Sequence, residues 1–300
     1  MTVIFKQNCI DSFSFDMEPV ATVESGSEVV FETYDCYRGQ LTESSSHQDH
    51  QLDGINPATG PVAVRGAEPG DVLKIEILSI QLEETGTMYL RPGSGVLKRF
   101  VEYEQVLKPV VKGNQVHLRP DLSVPLEPMI GVIGVAPAEG SVNTLVPGCH
   151  GGNLDTKEIT EGAVLYLPVF QPGANLAMGD LHAAMGDGES AVCGVEIGGK
   201  VRVRIELIKG VALSQPVLED EHFLYVIASA PTIDEACSQA AEGMFRLLQE
   251  WMPGLTANEL VCLLGTAGDV CVSQLVNPQK TAKFRIPKTF LPKSILKQTR

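Results

Sequence analysis

The sequence predicts a mostly β fold, a sandwich or barrel with α+β elaboration and a C-terminal helical pair, and three observations predict it. Glycine (29) and proline (19) fall in short groups between β-rich runs, the spacing expected of many turns joining short strands. Within those runs apolar and polar residues alternate with a period of two. Only near the C-terminus does the apolar period lengthen to nearly four, the mark of amphipathic helices.

The elements follow in order. Val20 to Phe31 reads as two short strands around a Ser-Gly turn, leading into a long polar loop from Thr33 to Gln51 that holds Asp35, Arg38, His47, Asp49 and His50. Loops longer than about 12 to 15 residues are more often functional or disordered than neutral connectors. After Gly60 come a strand, an E-P-G-D turn at 68–71, and an alternating strand whose Leu73, Ile75 and Ile77 oppose Val72, Lys74 and Glu76, so one face should be wet. From Pro128 to Gly210 four further strands are expected: M-I-G-V-I-G-V-A-P, V-L-Y-L-P-V-F, A-V-C-G-V-E-I and V-R-V-R-I-E-L-I. Glycines inside such runs mark bulges or the close approach of a backbone or ligand. Thr232 and Glu235 form a capping box before Ile233, Ala236, Ala240, Met244, Leu247 and Trp251 at helical spacing, and Pro253-Gly254 ends that helix. Thr256 and Glu259 cap a second helix through Leu264, ahead of a strand from Val270 to Val276. Beyond Gln279 the chain is basic, with Lys280, Lys283, Arg285, Lys288, Lys293, Lys297 and Arg300, and reads as a solvated end. No clean boundary divides the chain, so 1–300 is expected as one catalytic domain, with residue 210 as the place where a β-rich core would pass into a C-terminal α/β part.

A formal charge of -14 would repel nucleic-acid phosphates and anionic lipid, and argues against both as partners. The first residues lack a secretory signal and no segment is apolar enough to span a bilayer, so a cytoplasmic protein is expected. The seven cysteines are scattered without a C-x-x-C pair, which reads as buried free thiols.

Candidate chemistry is densest in P-G-C-H-G-G-N-L-D-T-K-E (147–158) and P-G-A-N-L-A-M-G-D-L-H-A-A-M-G-D-G-E (172–189). If Met178 to Ala183 is extended, Asp180 and His182 leave the same face, as adjacent metal ligands on a strand would. Asp35, His150 and Asp155 could complete such a site. The plain alternatives are a hydrogen-bonded turn for Asp180 and His182 and an Asx turn for Asp35. Glu196 lies in an otherwise apolar run, where burial would demand a proton, a partner or a metal, unless that face is open to water. Cys149 and His150 would point to opposite sides of an extended segment, which argues against a thiol nucleophile. His47, His50, His117 and His222 read as surface or structural histidines. G-G-K-V-R-V near Gly198 reads as a hairpin turn and lacks the spacing of a phosphate loop.

Read together, G-V-I-G-V-A-P (131–137), P-G-C-H-G-G-N-L-D (147–155), L-Y-L-P-V (165–169) and G-D-L-H-A-A-M-G-D-G-E (179–189), with N-P-A-T-G-P (56–61) and A-E-P-G-D-V-L (67–73), resemble the acetamidase/formamidase family over about Asp35 to Pro287. The resemblance implies a jelly-roll-like β-sandwich core, assembly as a homodimer or higher homo-oligomer, and hydrolysis of formamide or acetamide to ammonia and the carboxylic acid. It implies a divalent metal, zinc first and calcium second, on Asp35, Asp155, Asp180 and His182. His150 and Asn153 would face the substrate, and the Gly151 and Gly152 N–H groups would steady an oxyanion. Glu196 or Glu189 would take the proton of a metal-activated water. Two competing expectations remain: a larger or cyclic amide, with pocket size set by side chains such as Tyr89, Phe100 and Phe170, and a non-catalytic jelly-roll module holding a structural calcium or a ligand.

Overall fold

A computed structural model describes residues 1–43, 52 and 54–291. His47, Asp49, His50, Lys293, Lys297 and Arg300 lie outside the described residues. Two sheets stack face to face. The larger, nine-stranded sheet runs in the spatial order Thr2–Ile4, Ser27–Thr33, Gly199–Ile208, Val72–Leu82, Val164–Pro168, Val217–Glu219, Phe223–Ala230, Lys280–Pro287 and Asp269–Gln274. The smaller runs Gly151–Asn153, Met129–Gly134, Leu176–His182, Ala58–Val64 and Cys9–Ile10, with Glu196–Ile197 against Leu176–His182 and Ala21–Val23 against Ala58–Val64.

Alternation decides which side chains fill the space between the sheets. Leu73, Ile75 and Ile77 point inward beside Val203 and Ile205 and meet Ile130, Ile133, Met178 and Leu181 of the smaller sheet in one core. Each such side chain contributes about 1.5–3 kcal/mol on burial. The opposite face of the same strand is wet, as expected: Lys74 pairs with Glu206 at 2.6 Å, and Arg204 bridges Glu76 at 2.7 Å and Glu28 at 2.8 Å. At the far end of the large sheet two helices cover that outer face, α1 (Ile233–Trp251) and α2 (Ala257–Ala267). Met244, Leu248, Leu260 and Leu264 bury against Val226, Phe284 and Ile286. Both predicted capping boxes are formed, Glu235 N–H donating to Thr232 Oγ1 and Glu259 N–H to Thr256 Oγ1, each at 3.3 Å. Among the described residues no helix is long and apolar enough to cross a membrane.

The E-P-G-D turn is present, with the Asp71 N–H donating to the Glu68 carbonyl at 3.0 Å and Gly70 at φ 93°. Three expectations are corrected. The segment at Gly198 is not a hairpin: Glu196–Ile197 belongs to the small sheet and Gly199–Ile208 to the large one, so the glycines carry the chain from sheet to sheet. A Cβ at Gly199 would sit 2.4 Å from the Gln81 carbonyl oxygen, which is why no side chain fits at this corner. Of A-V-C-G-V-E-I only Glu196–Ile197 is a strand. The basic stretch after Gln279 is not a solvated end over its described part; Lys280–Pro287 is a strand between two others in the large sheet.

Lys283 on that strand is only 1% exposed, and its ammonium binds Glu158 at 2.5 Å and Asp187 at 3.0 Å. A composition-based reading misses it because a buried, paired lysine and a solvated one have the same sequence. Lys283→Met should lower stability by about 2 kcal/mol, toward the low side for a broken buried pair because both carboxylates keep some water. Urea denaturation with an unchanged midpoint would refute that role.

Candidate active site

The strand Leu176–His182 supplies Asp180 and His182, and its partner strand places Glu196 opposite His182. Asp155 follows the short strand Gly151–Asn153, and Glu189 comes from the loop between Ala183 and Val195. These five side chains converge, and none is more than 6% exposed. Gly131 underlies them: a Cβ there would lie 2.7 Å from both Asp155 Oδ1 and Asp180 Oδ2. Gly194 backs the His182 ring in the same way, at 2.8 Å from Nδ1.

His182 Nε2 lies 3.1 Å from Glu196 Oε2 and 3.7 Å from Asp180 Oδ1, yet none of the three atoms has a hydrogen-bond partner, nor has Glu189 Oε2. Buried polar atoms that face one another without hydrogen-bond alignment point to an ion between them. Donor atoms of Asp155, His182 and Glu189 lie within 4.8 Å of one another, as do those of Cys36, Asp180 and Glu196. These groups could hold a metal ion. One oxygen of each aspartate is held by asparagines. Asn56 Nδ2 donates to Asp180 Oδ2 at 2.9 Å and Asn277 Nδ2 to Asp155 Oδ2 at 2.5 Å. The Asn153 amide, oriented to satisfy its neighbours, donates to Asp180 Oδ2 at 3.1 Å and Asp155 Oδ2 at 3.3 Å.

Crowding of like charge shows in both electrostatics and backbone. Burial, and then Asp180, push the Asp155 carboxyl up to about 7. Burial pushes Glu196 up to about 8 and Glu189 well above the ordinary range. For His182 burial acts to lower the pKa, but the Glu196 and Asp180 carboxylates prevail and raise it well above normal. Without a cation, the cluster must hold protons. Asn56, Asp155, Asp180 and Glu189 all take positive φ, between 42° and 55°, and the β-branched Val192 takes 76°, conformations that persist only where surrounding structure enforces them.

Above the cluster opens a cavity of about 260 Å³. Asp180, Glu189, Glu196 and Asn153 lie at its base, and Tyr37, Ile55, Tyr89, Arg91, Val192 and Val276 are among its walls. Phe100 is exposed and Phe170 packs on the main core, so of the three aromatics expected to size the pocket only Tyr89 lines it.

Not every expected site residue is here. Asp35 is half-buried with both oxygens engaged, Oδ1 by the Gly39 N–H at 2.6 Å and Oδ2 by the Thr87 hydroxyl at 3.0 Å. The expected Asx turn is not what holds it, since the Gly39 N–H lies four residues on; these two bonds keep Asp35 within its loop, and its buried neighbour Cys36 reaches the cluster instead. His150 does not line the cavity; its ring packs edge-on against Phe13 at 5.3 Å and burial holds its pKa down to about 4. Gly148 and Gly152 leave room for that ring. The Gly151 N–H donates to the Gly148 carbonyl at 3.1 Å and Gly152 pairs with Ile133 in the sheet, so neither is an oxyanion donor at this cavity. Cys149 is exposed. Sequence reasoning missed Cys36, Asn56, Arg91 and Asn277. Only Asn56 carried a signal, as the first residue of N-P-A-T-G-P.

The acetamidase/formamidase family profile matches residues 5–145 and 138–234. The chain is 27% identical to the formamidase of Methylophilus methylotrophus, over 84% of this chain and 81% of that protein. Among solved structures, the acetamidase of Bacillus halodurans superposes with a TM-score of 0.93 at 42% identity, covering 96% of this chain and 98% of that one. The acetamidase of Yersinia enterocolitica gives 0.90 at 28% identity, covering 97% and 93%. A match of this extent over sequence, fold and site-bearing segments means that the chain belongs to the acetamidase/formamidase family.

Proposed function

We propose that the protein hydrolyses a short aliphatic amide, formamide or acetamide, to ammonia and the carboxylic acid, using a divalent metal held by the buried cluster. The observation that carries this reading is the set of orphaned donor atoms on Asp180, His182, Glu189 and Glu196 at the base of the cavity. Relatives named formamidase and acetamidase support the substrate class. Asp155, Asp180, Glu189 and His182 would hold the metal, and the imidazole nitrogen with the nearby Cys36 sulfur favours zinc over calcium, which takes oxygen ligands. When bound, the metal supplies Lewis acidity and a water of lowered pKa.

The chain's own residues do the rest. Glu196 Oε1 accepts the Gly194 N–H at 3.0 Å, which fixes the carboxyl while Oε2 stays free at the cavity. That oxygen is placed to take a proton from the attacking water and pass it to the leaving amine. Glu189, whose donor atom lies with those of Asp155 and His182, would serve as a ligand rather than as the base. Asn153, with its N–H groups on Asp155 and Asp180 and its oxygen accepting from Asn56 and Asn277, holds both aspartates in place at the base of the cavity. Tyr37, Tyr89 and Val192 line the cavity and narrow the room for water, which strengthens every charge interaction inside. Seven free thiols support a reducing, cytoplasmic setting.

Three measurements test this. Ammonia release from formamide and acetamide should disappear on chelation and return with zinc; chelator-resistant release would mean that no metal is needed. Glu196→Gln should lower kcat by about 10²–10⁴-fold at unchanged metal content, whereas His182→Ala should lose metal and turnover together while keeping its circular dichroism. The reverse pattern would exchange the two roles. In the metal-free protein Asp155 and Glu196 bind protons more tightly than in the unfolded chain. Their stabilisation is therefore full at acid pH and is lost as pH rises from the ordinary carboxylate range to about 8. Urea midpoints of chelated protein should fall between pH 5 and pH 8, and zinc should restore them; a chelated protein more stable at pH 8 contradicts the reading.

A further inference from the structure

Arg91 is unlike the other arginines of the described residues. Apart from the exposed Arg99, each of the others lies within ion-pairing distance of a carboxylate. Arg91 has no such partner among the described residues, although it lines the same cavity as Asp180, Glu189 and Glu196. Its Nε is buried with no hydrogen-bond partner. Its guanidinium lies over the Tyr89 ring, 5.3 Å from the centroid, and Tyr89 is itself fixed by a hydrogen bond from its hydroxyl to Glu104. A stacked guanidinium is held in orientation by the ring and keeps its in-plane donors free for a carboxylate or phosphate.

The room in the cavity bears on what would meet it. At ~30 Å³ for each water-sized group, the cavity of about 260 Å³ takes roughly eight non-hydrogen groups, twice the size of acetamide. The extra space is bounded by Leu52, Ile55, Val192, Val276 and Pro278, apolar surfaces that suit methylene groups. Metal-ligating and proton-moving groups at the base, apolar walls and an unpaired cation together describe a substrate with an amide at one end, a short aliphatic chain, and an anion at the other.

We propose that Arg91 is a carboxylate subsite, and that the preferred substrates are amides whose acyl chain ends in a carboxylate, the monoamides of short dicarboxylic acids. This rests on the amidase reading above and deepens it. The hydrolysis balances simply: water adds to the amide carbonyl, the C–N bond breaks, ammonia leaves, and a dicarboxylate remains with its distal carboxylate still on Arg91.

The test compares kcat/KM for succinamate with that for 4-methylpentanamide, a neutral analogue of the same shape, in the metal-loaded full-length protein and in Arg91→Gln. Wild type should prefer succinamate by about ten- to a hundredfold, the range of a charge-assisted bond, and the variant should lose that ratio, with Arg91→Lys recovering part of it. A wild-type ratio of one or less, or a ratio unchanged by Arg91→Gln, overturns the proposal. The product acid is the other source of a carboxylate. If acetate inhibition weakens in Arg91→Gln while wild type shows no preference for succinamate, the subsite serves product and the substrate class is wrong. Calorimetric binding of succinate separates the subsite from the amidase reading: Kd should rise at least tenfold in Arg91→Gln even if no amide is turned over, and equal Kd values overturn the subsite.

Discussion

Four carboxylates and one imidazole occupy a single water-poor space, and the rest of the structure is arranged to tolerate them. Asp155, Asp180, Glu189 and Glu196 are all buried beside His182, so their mutual repulsion acts at low effective dielectric and must be met by protons or a cation. Three asparagines drawn from separate parts of the chain spread the charge by donating to the outward oxygens. Glycines at 131 and 194 allow the backbone so close that nothing else could stand there. Left-handed backbone at four of the polar residues adds a strain of about 1–3 kcal/mol each, which the apolar core between the sheets offsets.

The site therefore depends on elements far from its chemistry. Gly188, next to Glu189, is held on both sides by the last strands, its N–H donating to Ser273 O at 2.8 Å and its carbonyl accepting from Leu275 N at 3.1 Å. Thr156, next to Asp155, bonds Ser273 through their hydroxyls at 2.9 Å. Lys283 fastens Glu158 and Asp187 to the same strands. These contacts turn two irregular loops into a fixed frame, and holding polar groups to within about 0.5 Å is what a catalytic constellation needs.

How much was legible follows from the range of each interaction. The capping boxes at Thr232 and Thr256 and the alternation along Val72–Leu82 depend on neighbours a few residues away, and their sequence patterns sufficed. Asp180 and His182 were legible because one strand carries both on one face. The roles of Asn56 and Asn277 were not, although Asn56 opens the N-P-A-T-G-P motif, because their bonds reach Asp180 and Asp155 across 124 and 122 positions, a distance over which local patterns carry no information. Asp35 and Cys36 were exchanged for a related reason: adjacent residues leave the chain in opposite directions, and only the fold decides which one faces the cluster. His150 was drawn in by its glycine-rich motif, whose glycines make room for its ring.

The clamp formed by the last strands also sets an order of events. Asn277, Ser273 and Lys283 are synthesised after the loops they secure, their side-chain bonds reaching back between 96 and 125 positions, and Ser27–Thr33 must wait for Gly199–Ile208 before it has its neighbour in the large sheet. Pairings of such long sequence separation make folding slow. A nascent chain in which Asp269–Gln274 and Lys280–Pro287 have not yet emerged has Asp155 and Glu189 on unsecured loops, so the carboxylates are drawn together out of water only once those two strands are made and paired.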